Sequence, residues 1–104
     1  MPHAESPDAR KTFPTKATQL FVRNVEEHCK DRGLTPQNIE KMLSLDRYGR
    51  HNGRQWVAFR EGTQMMRPDK LVRKILLALN RGLMSAERAA KLQYFLESNG
   101  VRCH

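Results

Sequence analysis

Apolar residues from position 17 onward recur at intervals of three and four, which places them on one face of an α-helix. Phe21, Val25 and Cys29 follow this spacing, and Gly33 stands where a helix typically ends. The pattern therefore predicts a first helix over residues 17–31.

Residues 1–16 lack this periodicity and contain three of the five prolines, a composition that predicts a disordered arm. Lys11 and Lys16 lie in this arm and suit contacts with a phosphate backbone. Residues 17–104 are then expected to form one domain, because a chain of 104 residues has little room for a second hydrophobic core.

A second helix is predicted over residues 36–45. Thr35 offers a side-chain oxygen to the free amides of a helix N-terminus, and Pro36 suits the first helical position. The inward-facing positions of this helix are Ile39, Met42 and Leu43.

Capping residues also predict the last two helices. Pro68 begins a fourth helix that ends near Gly82, and Ser85 caps a fifth that closes at Asn99 and Gly100. The expected apolar faces are Leu71, Val72, Ile75, Leu76 and Leu79 in the fourth helix, and Ala89, Leu92 and Leu96 in the fifth.

The segment between the second and fourth helices admits two structures. Trp56 and Phe59, three positions apart and followed by Gly62, favour a loop and then a short third helix over residues 54–61. The alternative is a β-hairpin, since Asn-Gly at positions 52 and 53 is a strong turn signal that would pair Tyr48 with Val57. We favour the helix, because the residues around Tyr48 make a poor strand.

The formal net charge of +8, from 19 Lys and Arg against 11 Asp and Glu, favours a polyanionic partner. Nucleic acid is the first candidate and an anionic membrane surface the second, while solubility alone is the simplest explanation. No apolar run approaches the roughly 20 residues that span a bilayer, and the N-terminus does not resemble a signal peptide. We therefore expect a cytoplasmic protein that is not inserted in a membrane.

The cysteines and histidines do not suggest a metal site or an enzyme. Cys29 and Cys103 could meet His28 and His104 around zinc, but neighbouring residues on a helix point about 100° apart and no typical ligand spacing is present. His51, like His28, lacks partners in a recognisable catalytic order. We expect no metal, no cofactor and no enzymatic activity.

The order of these features resembles the helix-turn-helix of the phage-repressor family, the lambda repressor and Cro type. In that family a helix ends in glycine, Leu-Thr starts the next helix, and apolar anchors follow in both helices of the motif. The matching residues here are Gly33, Leu34, Thr35, Ile39, Leu43 and Leu45, then Trp56, Phe59, Glu61 and Gly62, and in the fourth helix Pro68, Leu71, Ile75 and Leu79.

The chain departs from the family pattern in the turn. Glu40 stands where the family usually has a small residue that allows close helix packing, and Ser44 stands where it usually has glycine. The connection from Leu45 to Trp56 is several residues longer than in the family. The family's glutamine after the threonine is replaced by proline, with Gln37 one position further on.

The resemblance implies an all-α, five-helix, helix-turn-helix domain that binds double-stranded DNA. The expected function is transcription regulation, in the first place repression, by a homodimer whose third helices and preceding arginine-rich loops contact an operator. Arginine pairs with guanine, and asparagine or glutamine with adenine. The expected contact residues are Gln37, Arg47, Arg50, His51, Asn52, Arg54 and Gln55.

Two details of this expectation concern partners. Tyr94, Phe95 and Val101 supply more apolar surface than one helix stripe needs, which places the dimer contact in the fifth helix and tail. Alternative functions are a small basic inhibitor or adaptor of a mobile element that binds another protein, or an RNA-binding protein that uses the arginine-rich loop.

Overall fold

The computed structural model describes residues 9–103, with side chains from residue 12, and these residues form five α-helices. They are α1 (Ala9–Cys29), α2 (Pro36–Met42), α3 (Arg54–Glu61), α4 (Pro68–Asn80) and α5 (Ala86–Ser98). The expected all-α class is confirmed. The hairpin alternative is wrong, since residues 9–103 contain no strand and Gly53 immediately precedes helix α3 instead of turning a hairpin.

Helix α1 begins at Ala9, eight residues before the predicted start at 17. Residues 9–16 are therefore helical, and the prediction of a disordered arm is wrong for them, while residues 1–8 and Lys11's side chain lie outside the described part. The extension is held by a tertiary contact, because the ring of Phe13 packs 5.6 Å from that of Phe95 on α5. Residues 1–16 show no helical periodicity, so the sequence pattern did not predict this contact.

Helix α2 ends at Met42, three residues earlier than predicted, because the chain leaves the helical conformation at Ser44 with φ of 50°. Lys74 of α4 donates from Nζ to the carbonyls of Leu43 and Ser44, at 2.7 and 3.2 Å, and so satisfies the end of α2. Burial and the nearby cations Lys70 and Arg73 lower the pKa of Lys74. This ammonium fixes the start of the long loop.

Helix α1 is central to the core and packs against α3, α4 and α5, whereas α2 packs mainly against α3. Trp56 and Phe59 are fully buried, so their expected place in the core is confirmed. The indole of Trp56 meets the ring of Phe21 edge-on, with centroids 6.1 Å apart. Its Nε1 also donates to Glu26 at 3.0 Å, and Arg60 donates to the same carboxylate, which together tie α3 to α1.

The apolar face of α4 differs from the expected stripe. Leu71 and Ile75 are buried together with Ala78, but Leu76 and Leu79 are 48 and 37% exposed. A strict four-residue spacing advances about 40° round the helix at each step, so Leu79 lies well away from Leu71. The sequence pattern overestimated the width of the buried face, and two leucines remain on the surface.

Candidate nucleic-acid interface

A buried carboxylate joins α2 to the N-terminus of α3. Glu40 is 1% exposed, and its two oxygens accept hydrogen bonds from the backbone amides of Gly53 (2.9 Å) and Trp56 (2.8 Å). These amides have no partner within the helix, and the helix dipole favours a negative charge here. Glu40 therefore positions the start of α3 against α2.

The N-terminal ends of α2 and α3 approach each other closely at Gly53. This residue has φ of 87°, a left-handed conformation that glycine adopts without strain. A Cβ atom added there would lie 3.3 Å from the Cβ of Pro36 and 3.4 Å from the Cγ of Gln37. Glycine thus allows the first turns of both helices to share one surface.

Two adjoining depressions mark this surface, which we call the α2–α3 face. The first, of about 380 Å³, is lined by Pro36, Asn52, Gly53, Arg54, Val57 and Ala58, with Glu61 and Thr63 at its far end. The second, of about 360 Å³, is lined by Gln37, Asn38, Lys41, Gly49 and His51. The first is largely apolar within, whereas amide, ammonium and imidazole groups line the second.

The structure brings four of the seven expected contact residues to this face, namely Gln37, His51, Asn52 and Arg54. Arg47 and Arg50 lie outside both depressions, on the preceding loop. Gln55 is half-buried and lines neither depression.

Asn52 and His51 differ in how their side chains are used. The Oδ1 atom of Asn52 accepts a hydrogen bond from the amide of Arg54 at 2.9 Å, so this side chain caps the start of α3 locally. The Nδ1 atom of His51 is buried and has no hydrogen-bond partner within residues 12–103.

The loop before α3 places an aromatic ring among arginines. Tyr48 is 71% exposed, and the guanidinium carbons of Arg50 and Arg47 lie 5.1 and 5.8 Å from its ring centroid. Arg50 also donates from its backbone amide and from Nε to Asp46, at 2.7 and 3.2 Å. These hydrogen bonds lower the pKa of Asp46.

The charge of Arg50 is therefore offset by its neighbour. Arg47 and Arg54, in contrast, form no ion pair with any described residue and are exposed. The loop thus offers fewer unopposed charges to a phosphate backbone than its three arginines suggest.

Sequence reasoning missed several side chains of this region. Lys41 follows Gln37 by four positions, a spacing that places both on one side of α2 and could have identified it. Tyr48 was considered only as a strand residue. Val57 and the adjacent Ala58 carry no chemical signal in the sequence, and only the packing of α3 shows that they line a depression.

The two thiols are buried separately and not joined around a site. Cys29 donates to the carbonyl of Leu83 and Cys103 to that of Gln93, both at 3.6 Å, and burial raises the pKa of each thiol. No cluster of three His, Cys, Asp or Glu suited to a metal occurs among the described residues. His104 lies outside them.

Among the described residues, no helix has both the length and the apolar character needed to cross a membrane. No protein-family model, curated protein or solved structure matches the chain.

Proposed function

We propose that the protein is a sequence-specific DNA-binding regulator of transcription that presents the α2–α3 face to the major groove. The observation that carries this proposal is the meeting of two helix N-termini at Gly53, where Pro36 and Gln37 of α2 lie beside the first turn of α3. Helix-turn-helix proteins dock in this way, with the first turn of the second helix at base edges and the neighbouring helix across the backbone.

The side chains at the start of α3 suit base recognition. Arg54 is the first residue of the helix, exposed and without an acidic partner among the described residues. A bidentate arginine contact with guanine discriminates by about 1–3 kcal/mol against the wrong base. Gln37 is exposed on the adjoining turn of α2, where it suits a phosphate or an adenine.

Positive charge supports the same orientation. Lys41 lines the second depression, Arg47 lies on the loop that precedes α3, and the whole chain has a net charge of +8. Each phosphate that such a side chain neutralises releases counterions, so affinity falls as salt rises. We therefore expect strongly salt-dependent binding, with positioning by Lys41 and Arg47 and base selection by Arg54.

A homodimer completes the proposal, since two copies would place their recognition helices in successive major grooves about 34 Å apart. Of the three residues expected at the contact, Phe95 and Val101 pack against the protein's own core. Tyr94 remains 72% exposed, and Leu76 and Leu79 on α4 add exposed apolar surface. Light scattering after gel filtration tests this point, and Tyr94→Glu is expected to shift a dimer toward monomer.

The deciding experiment is a selection of binding sites from random duplex DNA by the full-length chain. We expect an inverted repeat to be enriched. Arg54→Ala should lower affinity by about 1–3 kcal/mol and relax the preference at one base pair of each half-site. Arg81→Ala is the matched control, because Arg81 is exposed at the end of α4 and lines neither depression.

The loop gives a specific reason to test RNA as a second candidate. An exposed tyrosine flanked by two guanidinium groups suits stacking on an unpaired base, the usual mode of sequence-specific RNA recognition. A competition between duplex DNA and structured RNA separates the two functions. Preference for RNA, lost in Tyr48→Ala but kept in Tyr48→Phe, would replace the DNA proposal, and failure to bind either would favour a protein partner.

A further inference from the structure

The first depression of the α2–α3 face combines an apolar interior with two polar ends. Pro36, Val57 and Ala58 line it, and it is an open depression of about 380 Å³. Val57 and Ala58 are half-buried, so part of each side chain still faces solvent. Asn52 and Arg54 stand at the end where α3 begins.

The charges around this depression determine how nucleic acid would lie over it. Arg54 at the N-terminal end suits a base edge, while the exposed Glu61 at the other end repels phosphate. A DNA strand is therefore expected to keep its phosphates away from Glu61 while Arg54 reaches a base edge. This orientation leaves base edges over the apolar interior.

Base edges in the major groove present one apolar group, the methyl on C5 of thymine, and 5-methylcytosine carries the same group. Alanine and other small apolar side chains contact this methyl in protein–DNA complexes. Resting on the proposed DNA-binding function, we infer that the depression lined by Pro36, Val57 and Ala58 receives a pyrimidine 5-methyl group. The methylated base lies next to the base pair that Arg54 reads.

The test uses the duplex obtained by site selection and the unmodified full-length protein. Each thymine is replaced in turn by deoxyuridine, which lacks the methyl, and each cytosine by 5-methylcytosine. If thymine is the ligand, one deoxyuridine per half-site lowers affinity by about fourfold, equal to about 0.8 kcal/mol for one methyl-sized group. If the pocket lies over a cytosine, methylation at that position raises affinity by about the same factor.

A variant pair assigns the effect to this depression. Val57→Ala removes part of its wall, so the ratio of affinities for methylated and unmethylated duplexes should fall below about twofold. Arg47→Ala, outside the depression, is the control and should weaken binding to both duplexes equally, with a salt slope reduced by about 1.

Two outcomes would overturn the inference in distinguishable ways. A selected site that binds equally well with deoxyuridine or 5-methylcytosine at every position contradicts the methyl pocket and leaves the DNA-binding proposal standing. A chain that selects no duplex sequence contradicts both. The base replacements are made in the DNA, so this decision does not depend on whether Val57→Ala folds.

Discussion

Replacement of Glu40 by alanine removes both acceptors that hold the start of α3. The amides of Gly53 and Trp56 donate to the two carboxylate oxygens at 2.9 and 2.8 Å, and Glu40 is 1% exposed. A buried donor left without a partner costs about 1–3 kcal/mol. The lost interaction of the carboxylate with the helix dipole adds about 0.3–1 kcal/mol.

Two such amides and the dipole give an expected loss of about 3 kcal/mol in the free energy of unfolding for Glu40→Ala, near the lower end of the summed range, because water entering the vacated space offsets part of the penalty. Glu40→Gln has the same size but one carbonyl acceptor, and its NH₂ group faces the other amide. Its expected loss is smaller, about 1.5 kcal/mol, since one capping hydrogen bond remains.

The measurement is urea denaturation followed by far-ultraviolet circular dichroism. Glu27→Ala is the matched control, because Glu27 is exposed and pairs with Arg88 at 3.6 Å on the surface. Such exposed pairs contribute at most about 1 kcal/mol. A loss below about 1 kcal/mol for Glu40→Ala, or equal losses for the alanine and glutamine variants, would refute the capping role.

Three further changes test the scaffold by the same denaturation measurement. Gly53→Ala should destabilise by about 1–2 kcal/mol, because it strains a left-handed residue and crowds Pro36 at 3.3 Å; an unchanged midpoint would contradict this. Thr18→Val should lower the free energy of unfolding by about 1–3 kcal/mol, since the Thr18 hydroxyl accepts a hydrogen bond from the buried amide of Met66 at 2.9 Å. Thr18→Ser keeps the hydroxyl and should retain most of that stability. Ser44→Gly should stabilise by roughly 0.5–1 kcal/mol, because exposed Ser44 has φ of 50° and glycine relieves that strain; a destabilised variant would show that the serine side chain matters.

The sequence by itself determined the elements whose signals are local. Helix α3 has the predicted bounds, and α4 and α5 begin where Pro68 and Ser85 predicted. Ser85, for example, accepts a hydrogen bond from a backbone amide three residues further on, and glycine or proline sets the conformation of its own backbone. Helical spacing likewise identified Trp56 and Phe59 as core residues. These interactions join residues only a few positions apart, so they can be predicted from the sequence.

Part of the candidate site could also be predicted, because the resemblance to a helix-turn-helix places the expected contact residues at the start of α3. Gln37, His51, Asn52 and Arg54 do line one surface. The polar chemistry of these side chains is visible in their identities. The apolar depression beside them was not predictable, because Val57 has the same identity in a core, on a surface or in a groove.

Tertiary structure decided the features that depend on residues far apart in the chain. The N-terminal extension of α1 depends on the contact of Phe13 with Phe95, and α3 is positioned by Glu40 through Gly53 and Trp56. From the sequence alone, Glu40 is expected to be a charged residue that disturbs the close packing of two helices. Only the folded chain shows that Glu40 accepts hydrogen bonds from two amides that are buried with it. The free amides at a helix N-terminus can be satisfied from a distant residue only once another helix packs against that end.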